Sequence, residues 1–241
     1  MPKALQNRLL CLKFTFIKKN TFAAYCCLAG ICLIWGSTFL VLRMGVKDFP
    51  PFLFAGIRQI TAGLLLTFYM ILIMKASLPP MRHILKLALV GFLLITLGNG
   101  LVSWAAQYVS SSVAAIICSA MPVWVILINL TVNKTERPNF MIVIGVVAGL
   151  LGIMLVFNEH LADFSDPKYF LGIVLIIIAS ISWAIASYMM KRSNLEVNPF
   201  LNAGFQMIFG GTFCFPMSLV FDDYSNISCQ PLRCIHCCFL F

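Results

Sequence analysis

Long apolar runs separated by short polar breaks dominate the chain from residue 22 onward. A bilayer core of about 30 Å takes roughly 20 apolar residues in helix. Runs of that kind fall at about 22–42, 51–74, 84–105, 110–132, 140–157, 170–190 and 200–221. The breaks coincide with Pro50-Pro51, Pro79-Pro80, Pro138, Pro167 and Pro199, where the chain is expected to turn. The connecting segments are too short to make a domain. The period-2 polar alternation of a membrane β-barrel is absent, which leaves helices as the spanning structure. The pattern predicts an all-α, polytopic transmembrane bundle of about seven helices.

The chain also repeats itself. PFLFAGIRQITAG, from Pro51, aligns without gaps on PFLNAGFQMIFGG, from Pro199, an offset of 148 residues. The same offset pairs Trp35 with Trp183, Ala55 and Gly56 with Ala203 and Gly204, and Gly63 with Gly211. Arg43 meets Lys191, which keeps the charge. Five expected spans separate the two tryptophans, and an odd number means that the second copy enters the membrane from the opposite side. That is the inverted-topology repeat of secondary transporters, whose substrate site usually lies between the halves near the midplane. One complete five-helix unit and part of a second are expected.

Composition agrees with a membrane protein. Of 241 residues, 61% are hydrophobic and 10% charged, where a soluble domain carries about 25% charged residues. Mean hydropathy is +0.96. The net charge of +9 does not point to nucleic acid, because no basic cluster is interleaved with aromatics. It sets orientation instead. Twelve lysines and arginines fall in the N-terminal tail and the even-numbered turns, against three, Arg43, Lys47 and Lys168, on the other side before the tail. A cytoplasmic N-terminus is expected, with the segment holding Glu159, Asp163 and Asp166 outside. The first run is too long for a typical cleaved signal core and lacks a small-x-small exit.

All eight acidic residues fall in loops or near span ends, so no intramembrane carboxylate is available as a proton carrier. His83, His160 and His236 are isolated, and no catalytic motif appears, so the protein is not expected to be an enzyme. No cofactor is expected. Cysteines inside the spans behave as small hydrophobes. Cys234, His236, Cys237 and Cys238 crowd the chain end without useful ligand spacing, so no metal is expected.

Arg58 is the one charge well inside a span, about 10 Å of helix rise from Pro51. Burying it costs roughly 2.5–3.5 kcal/mol on insertion scales. Snorkelling to the outer interface offsets that cost, and so does contact with an anionic substrate group. Gln206 holds the matching place in the second copy. Thr96, Asn99, Ser103 and Gln107, spaced by 3, 4 and 4, share one face of the third span, with Gly98 and Gly100 leaving room for a neighbour or ligand. Interhelical hydrogen bonding explains such a stripe as readily as a polar cavity. Trp35 and Trp183 suit interface anchoring, and Trp183 is also a candidate substrate contact. The candidate substrate-binding set is Arg58, Asn99, Ser103, Gln107, Trp183 and Gln206. Pro122 should kink the fourth span. Gly145, Gly149 and Gly152 suit close packing within one chain or between two, which leaves a homodimer open.

IWGSTFLVLRMG, PFLFAGIRQITAG, WAAQYVSSSVAAIICSAMPVW and TERPNFMIVIGVVAGLLGIML resemble, in order, the landmarks of an EamA domain of the drug/metabolite transporter superfamily. The resemblance covers the first five spans. It implies export or exchange of small metabolites, often amino-acid-like or drug-like compounds, across a bacterial inner (plasma) membrane, with the lipid bilayer and a small-molecule substrate as partners. It also implies ten helices in two EamA domains, whereas the expected spans here end with the seventh. The expected organisation is a basic cytoplasmic tail (1–20), a first EamA domain (21–158), a partial second one (168–221) and an atypical Cys-rich tail (222–241). A truncated, non-functional or structural fragment of such a transporter is the alternative reading.

Overall fold

The computed structural model describes residues 21–132, 139–158, 166–192 and 198–224. Helix α1 is Thr21–Asp48 and α2 is Pro51–Ile73, whose last turn from Tyr69 is widened. Helix α3 is Met81–Ala105 and α4 is Ser111–Val132. Helix α5 is Phe140–Asn158, α6 is Pro167–Arg192 and α7 is Pro199–Phe221. Among the described residues, α1, α2, α3, α4, α6 and α7 are long and apolar enough to cross a membrane, and α5 is apolar over Phe140–Gly152.

The prolines mark the starts. Pro51 and Pro199 occupy the first turns of α2 and α7, where the missing N–H leaves no gap in the ladder. Pro80 precedes α3 in an extended conformation, and Pro167 opens α6. The expected break at Pro138 lies outside the described residues. Helix α1 runs six residues beyond its expected end at 42, because Arg43 and Lys47 do not interrupt the helix. Helix α4 breaks at Ala120, between Ser111–Ser119 and Met121–Val132, just before Pro122. Ala120 donates to the Ile117 carbonyl at 3.1 Å, and its own carbonyl accepts from Val123 at 2.9 Å, so the chain tightens there before resuming.

Helix α7 lies at the centre, between α2 and α3, and α3 lies between α7 and α6. The α2–α7 seam is antiparallel and reciprocal. A β-carbon on Gly56 would come within 3.1 Å of the Gly211 carbonyl oxygen, and one on Gly211 within 3.0 Å of the Gly56 oxygen. One on Gly63 would come within 2.9 Å of the Gly204 oxygen, and one on Gly204 within 3.4 Å of the Gly63 oxygen. Adding 148 to one contact yields the other, as a two-fold relation between the copies requires. Membrane helices associate through close packing because lipid is as apolar as they are. Glycine lets these two backbones touch.

One contact ties the ends of this pair together. Asp222, just past α7, accepts from the backbone of Phe52 at 3.0 Å and of Leu53 at 3.1 Å through Oδ2. The Ser218 hydroxyl donates to the same oxygen at 2.6 Å. Pro50 brings no capping side chain to α2, so a carboxylate from another helix supplies the cap. Asp222 was expected to begin an atypical tail, yet it sits on the bundle. Asp222→Ala should lower stability by about 1–2 kcal/mol, the scale of a lost cap. Titration with SDS from a mild detergent measures it, and a Leu219→Ala control on the exposed side should change little.

A buried cluster joins the C-terminal part of α1 (Leu42, Val46), the start of α2 (Phe52, Phe54), the end of α3 (Val102, Ala105), α4 (Val113, Ile117) and α6 (Ile173, Ile176). Helix α5 is exposed at nearly every described position, and nothing lies within 4 Å of β-carbons placed on Gly145, Gly149 or Gly152.

Candidate functional site at the wide turn of the third span

Midway along α3 the helix changes its winding. Residues Phe92–Gly100 form a π-helix of nine residues. Such wide turns are rare and gather at functional sites. The local sequence, FLLITLGNG, explains part of this. Glycines at 91, 98 and 100 remove side chains at the places where neighbours come closest. The Gly91 position faces the Gln206 backbone, with its carbonyl oxygen 2.5 Å from a placed β-carbon. Gly98 lies under the Trp183 ring, whose Cε2 would be 2.9 Å from such a carbon, and Gly100 lies against Phe52. The room expected around Asn99 is therefore taken by neighbouring side chains.

Both helices of the second copy bind this turn. From α6, the Ser182 hydroxyl donates to the Leu93 carbonyl at 2.7 Å and the Trp183 indole N–H to the Leu94 carbonyl at 2.8 Å. A carbonyl oxygen has two lone pairs, so the Ser182 bond to Leu93 does not require the helix ladder to open. From the turn itself, the fully buried Thr96 hydroxyl donates to the Gly210 carbonyl of α7 at 2.7 Å. A β-carbon on Gly210 would meet the Gly91 carbonyl oxygen, so α3 and α7 are also in backbone contact. Edge-to-face packing of Phe92 on Phe213, 5.5 Å between centroids, extends that contact.

The candidate residues divide between places. Asn99 is half-buried and donates to the Leu94 carbonyl at 3.3 Å, on the same oxygen that receives Trp183. Ser103 is fully buried and donates to the Asn99 carbonyl at 2.7 Å. Gln107 is exposed past the end of α3 and donates to the Trp104 carbonyl at 3.2 Å. The stripe thus follows one helix without making a single polar wall. Trp183 and Asn99 do come together, and the Trp183 donor is engaged by a backbone carbonyl of α3. Gln206 is buried on the α3 side of α7, with its amide 3.2 Å from the Met190 sulfur. Arg58 stands apart from Gln206 and Trp183. Its position is about 200° round α2 from Gly56, and Gly56 faces α7, so Arg58 lies on the opposite side. Its Cζ is 5.9 Å from the centre of the Phe54 ring, in cation–π range.

Ser182, Thr96 as a cross-helix donor, and Asp222 went unrecognised as organising residues. The glycines were the available signal, since Gly91, Gly98, Gly100 and Gly210 each mark a close approach at this turn. The tail residues Cys234, His236, Cys237 and Cys238 lie outside the described residues.

Known proteins give the same placement of the chain. The model of the EamA-like transporter family matches residues 22–158 and again 170–241. The uncharacterized inner membrane transporter YedA of Escherichia coli K12 is 34% identical over 195 residues, which is 80% of this chain and 61% of that protein. The uncharacterized transporter YoaV of Bacillus subtilis 168 is 26% identical over 194 residues, 80% of this chain and 65% of that protein. The chain thus spans less than two thirds of the length of these relatives. A protein crystal structure with TM-score 0.54 and 16% identity covers 86% of this chain and 73% of its own, and it shares the fold. A family model matched twice over most of the chain, on an antiparallel helix repeat, means that this protein belongs to the EamA-like transporter family.

Proposed function

We propose that the protein works as a secondary transporter of small metabolites, amino-acid-like or drug-like, by alternating access between its two inverted repeats in the inner membrane. We read it as a transporter and not as an enzyme, with a cytoplasmic N-terminus. One observation carries the reading: both helices of the second copy engage the first copy at a non-ideal turn midway through α3. Transporter sites lie where repeats meet and where a helix departs from regular winding. Asn99 and Trp183 are placed at that turn, and their shared acceptor, Leu94, makes them respond together to a ligand that displaces either donor. Arg58 offers a planar cation at the outer part of α2 for a substrate carboxylate.

The test is substrate efflux from cells, or counterflow in proteoliposomes, with a panel of amino acids and related anions. Arg58→Lys keeps the charge and loses the fork, so flux of anionic substrates should fall about tenfold, the scale of one charge-assisted hydrogen bond. Arg58→Gln copies the second half and should remove the preference for anions. Unchanged flux and selectivity in both variants would make Arg58 a structural residue. Absence of metabolite-dependent flux from the unaltered chain, with the inserted protein present in amount, would defeat the transport reading itself.

A further inference from the structure

Helix α7 buries two primary amides on one face. Gln206 stands against Gly91 of α3, and Asn202, four residues earlier, shares that face. They are 6% and 4% exposed. Gln206 Nε2 donates to the Met190 sulfur of α6 at 3.2 Å, and a thioether is a weak acceptor. Asn202 Oδ1 has no hydrogen-bond partner among the described residues. The cations that end α6 do not supply a donor: Arg192 donates to the Tyr188 hydroxyl at 2.9 Å, and Lys191 is exposed. A buried acceptor left without a donor is a standing cost to the fold, and it calls for an explanation.

The repeat shows that packing alone does not call for an amide here. By the 148-residue offset Asn202 matches Phe54 and Gln206 matches Arg58. Phe54 is 2% exposed in the apolar cluster, and Arg58 lies over its ring at 5.9 Å. In the first copy the two positions serve each other, whereas in the second one of them keeps an open oxygen. A further open atom lies at the same end of the bundle. Helices α3 and α7 run side by side in one direction, since Gly91 meets Gln206 and Thr96 reaches Gly210. Asn202 therefore stands at about the height of Leu87, and His83 one turn before it. His83 Nδ1 is buried without a partner among the described residues, on the side of α3 that buries Leu87. In the Nε2–H form of the neutral ring, Nδ1 is an acceptor, as Asn202 Oδ1 is.

We infer that the junction of α3, α6 and α7 beside Asn202 binds the amino group of a substrate, with the Asn202 oxygen as its acceptor. A protonated amine carries N–H donors and no acceptor, so it complements a site whose open groups are acceptors. All eight acidic residues lie in loops or near span ends, and neutral oxygens are what the spans offer a cation. The site is distinct from Arg58. Asn202 lies three residues into α7 and Arg58 seven into α2, and these helices are antiparallel, so the two residues stand toward opposite ends of the pair. An amino-acid-like substrate would meet them in succession and not at once. The substrate class rests on the transport reading, but the binding itself is tested without flux.

The test follows thermal unfolding of the full chain in a neutral detergent, with ethylammonium chloride or tetramethylammonium chloride at equal concentration. The two cations carry the same charge, but tetramethylammonium has no N–H to donate. Ethylammonium should raise the midpoint above that in tetramethylammonium, because a ligand of the folded state stabilises it by mass action. Asn202→Leu keeps the size and removes the oxygen. It should fold at least as well as the unaltered chain, since an open acceptor is gone, and the difference between the salts should vanish. Asn202→Asp should bind ethylammonium about tenfold more tightly, through a charge-assisted hydrogen bond. Equal midpoints in the two salts for the unaltered chain would overturn the proposal and leave ordinary hydration as the partner of the amide. A difference that survives Asn202→Leu would do the same. So would a folding defect in both variants, which would mark Asn202 as a structural residue. Protection by ethylammonium without metabolite flux would support the site and defeat the transport reading alone.

Discussion

Gly98→Val should leave little folded protein, and Trp183→Ala in the same chain should remove most of that defect. A β-carbon on Gly98 already overlaps the Trp183 indole, and valine adds two methyl groups in a stiff rotamer. The ring has little freedom to move, because its N–H is held by the Leu94 carbonyl at 2.8 Å. The cost should exceed the ~1–3 kcal/mol of ordinary overpacking. Trp183→Ala alone opens a cavity and should cost about 3–5 kcal/mol. In that background Gly98→Val fills space, and its added cost should fall below about 1 kcal/mol, a coupling that a double-mutant cycle reads directly. Reversible unfolding by SDS in mixed micelles provides the free energies. Equal costs of Gly98→Val with and without the indole would show that the two residues are not in contact.

Gly63→Leu and Gly211→Leu should destabilise the bundle by similar amounts, about 3 kcal/mol each, at the upper end for overpacked sites. The first would drive a side chain against the Gly204 carbonyl and the Met207 β-carbon, both 2.9 Å from a placed β-carbon. The second meets Ile60 Cγ1 at 2.7 Å and the Gly56 carbonyl at 3.0 Å. The surroundings match because the positions are equivalent in the two copies. Combining the substitutions should cost less than the sum, since one separation of α2 from α7 relieves both. Gly149→Leu on α5, where nothing lies within 4 Å, should be close to neutral in the same assay. A large cost there would mean that α5 is covered by a partner.

The sequence reading was strongest where a single property decides. Hydropathy over some 20 residues measures whether a segment enters a bilayer, so every described helix coincides with an apolar run, from Pro51 to Phe221. Proline sets helix starts through its own covalent geometry, and Pro51 and Pro199 begin helices as expected. The antiparallel relation of α2 and α7 follows from matched residues and an odd number of spans. The motifs of the first five spans carried the family.

Tertiary structure decided which way each helix faces. In a soluble protein an apolar stripe reports the buried side, but lipid and protein interior are equally apolar. Leu65 faces an open groove and its counterpart Phe213 a neighbouring helix, although both are apolar letters in one repeat. The polar stripe from Thr96 to Gln107 reads as one face only in regular winding, and the π-turn over Phe92–Gly100 sends Thr96 to α7 while Asn99 turns to Leu94. Arg58 and Gln206 occupy equivalent places, yet they lie on different sides of the α2–α7 pair, because a two-fold axis relates the helices and does not superpose their faces. Asp222 caps α2 from 170 residues away, a contact that no local pattern encodes. The chain thus determined by itself which segments are apolar enough to enter a membrane and that its two copies run antiparallel. Rotation and pairing were decided by glycine contacts and by side-chain bonds to carbonyls between distant segments, because hydropathy is blind to the difference between a lipid and a neighbouring helix.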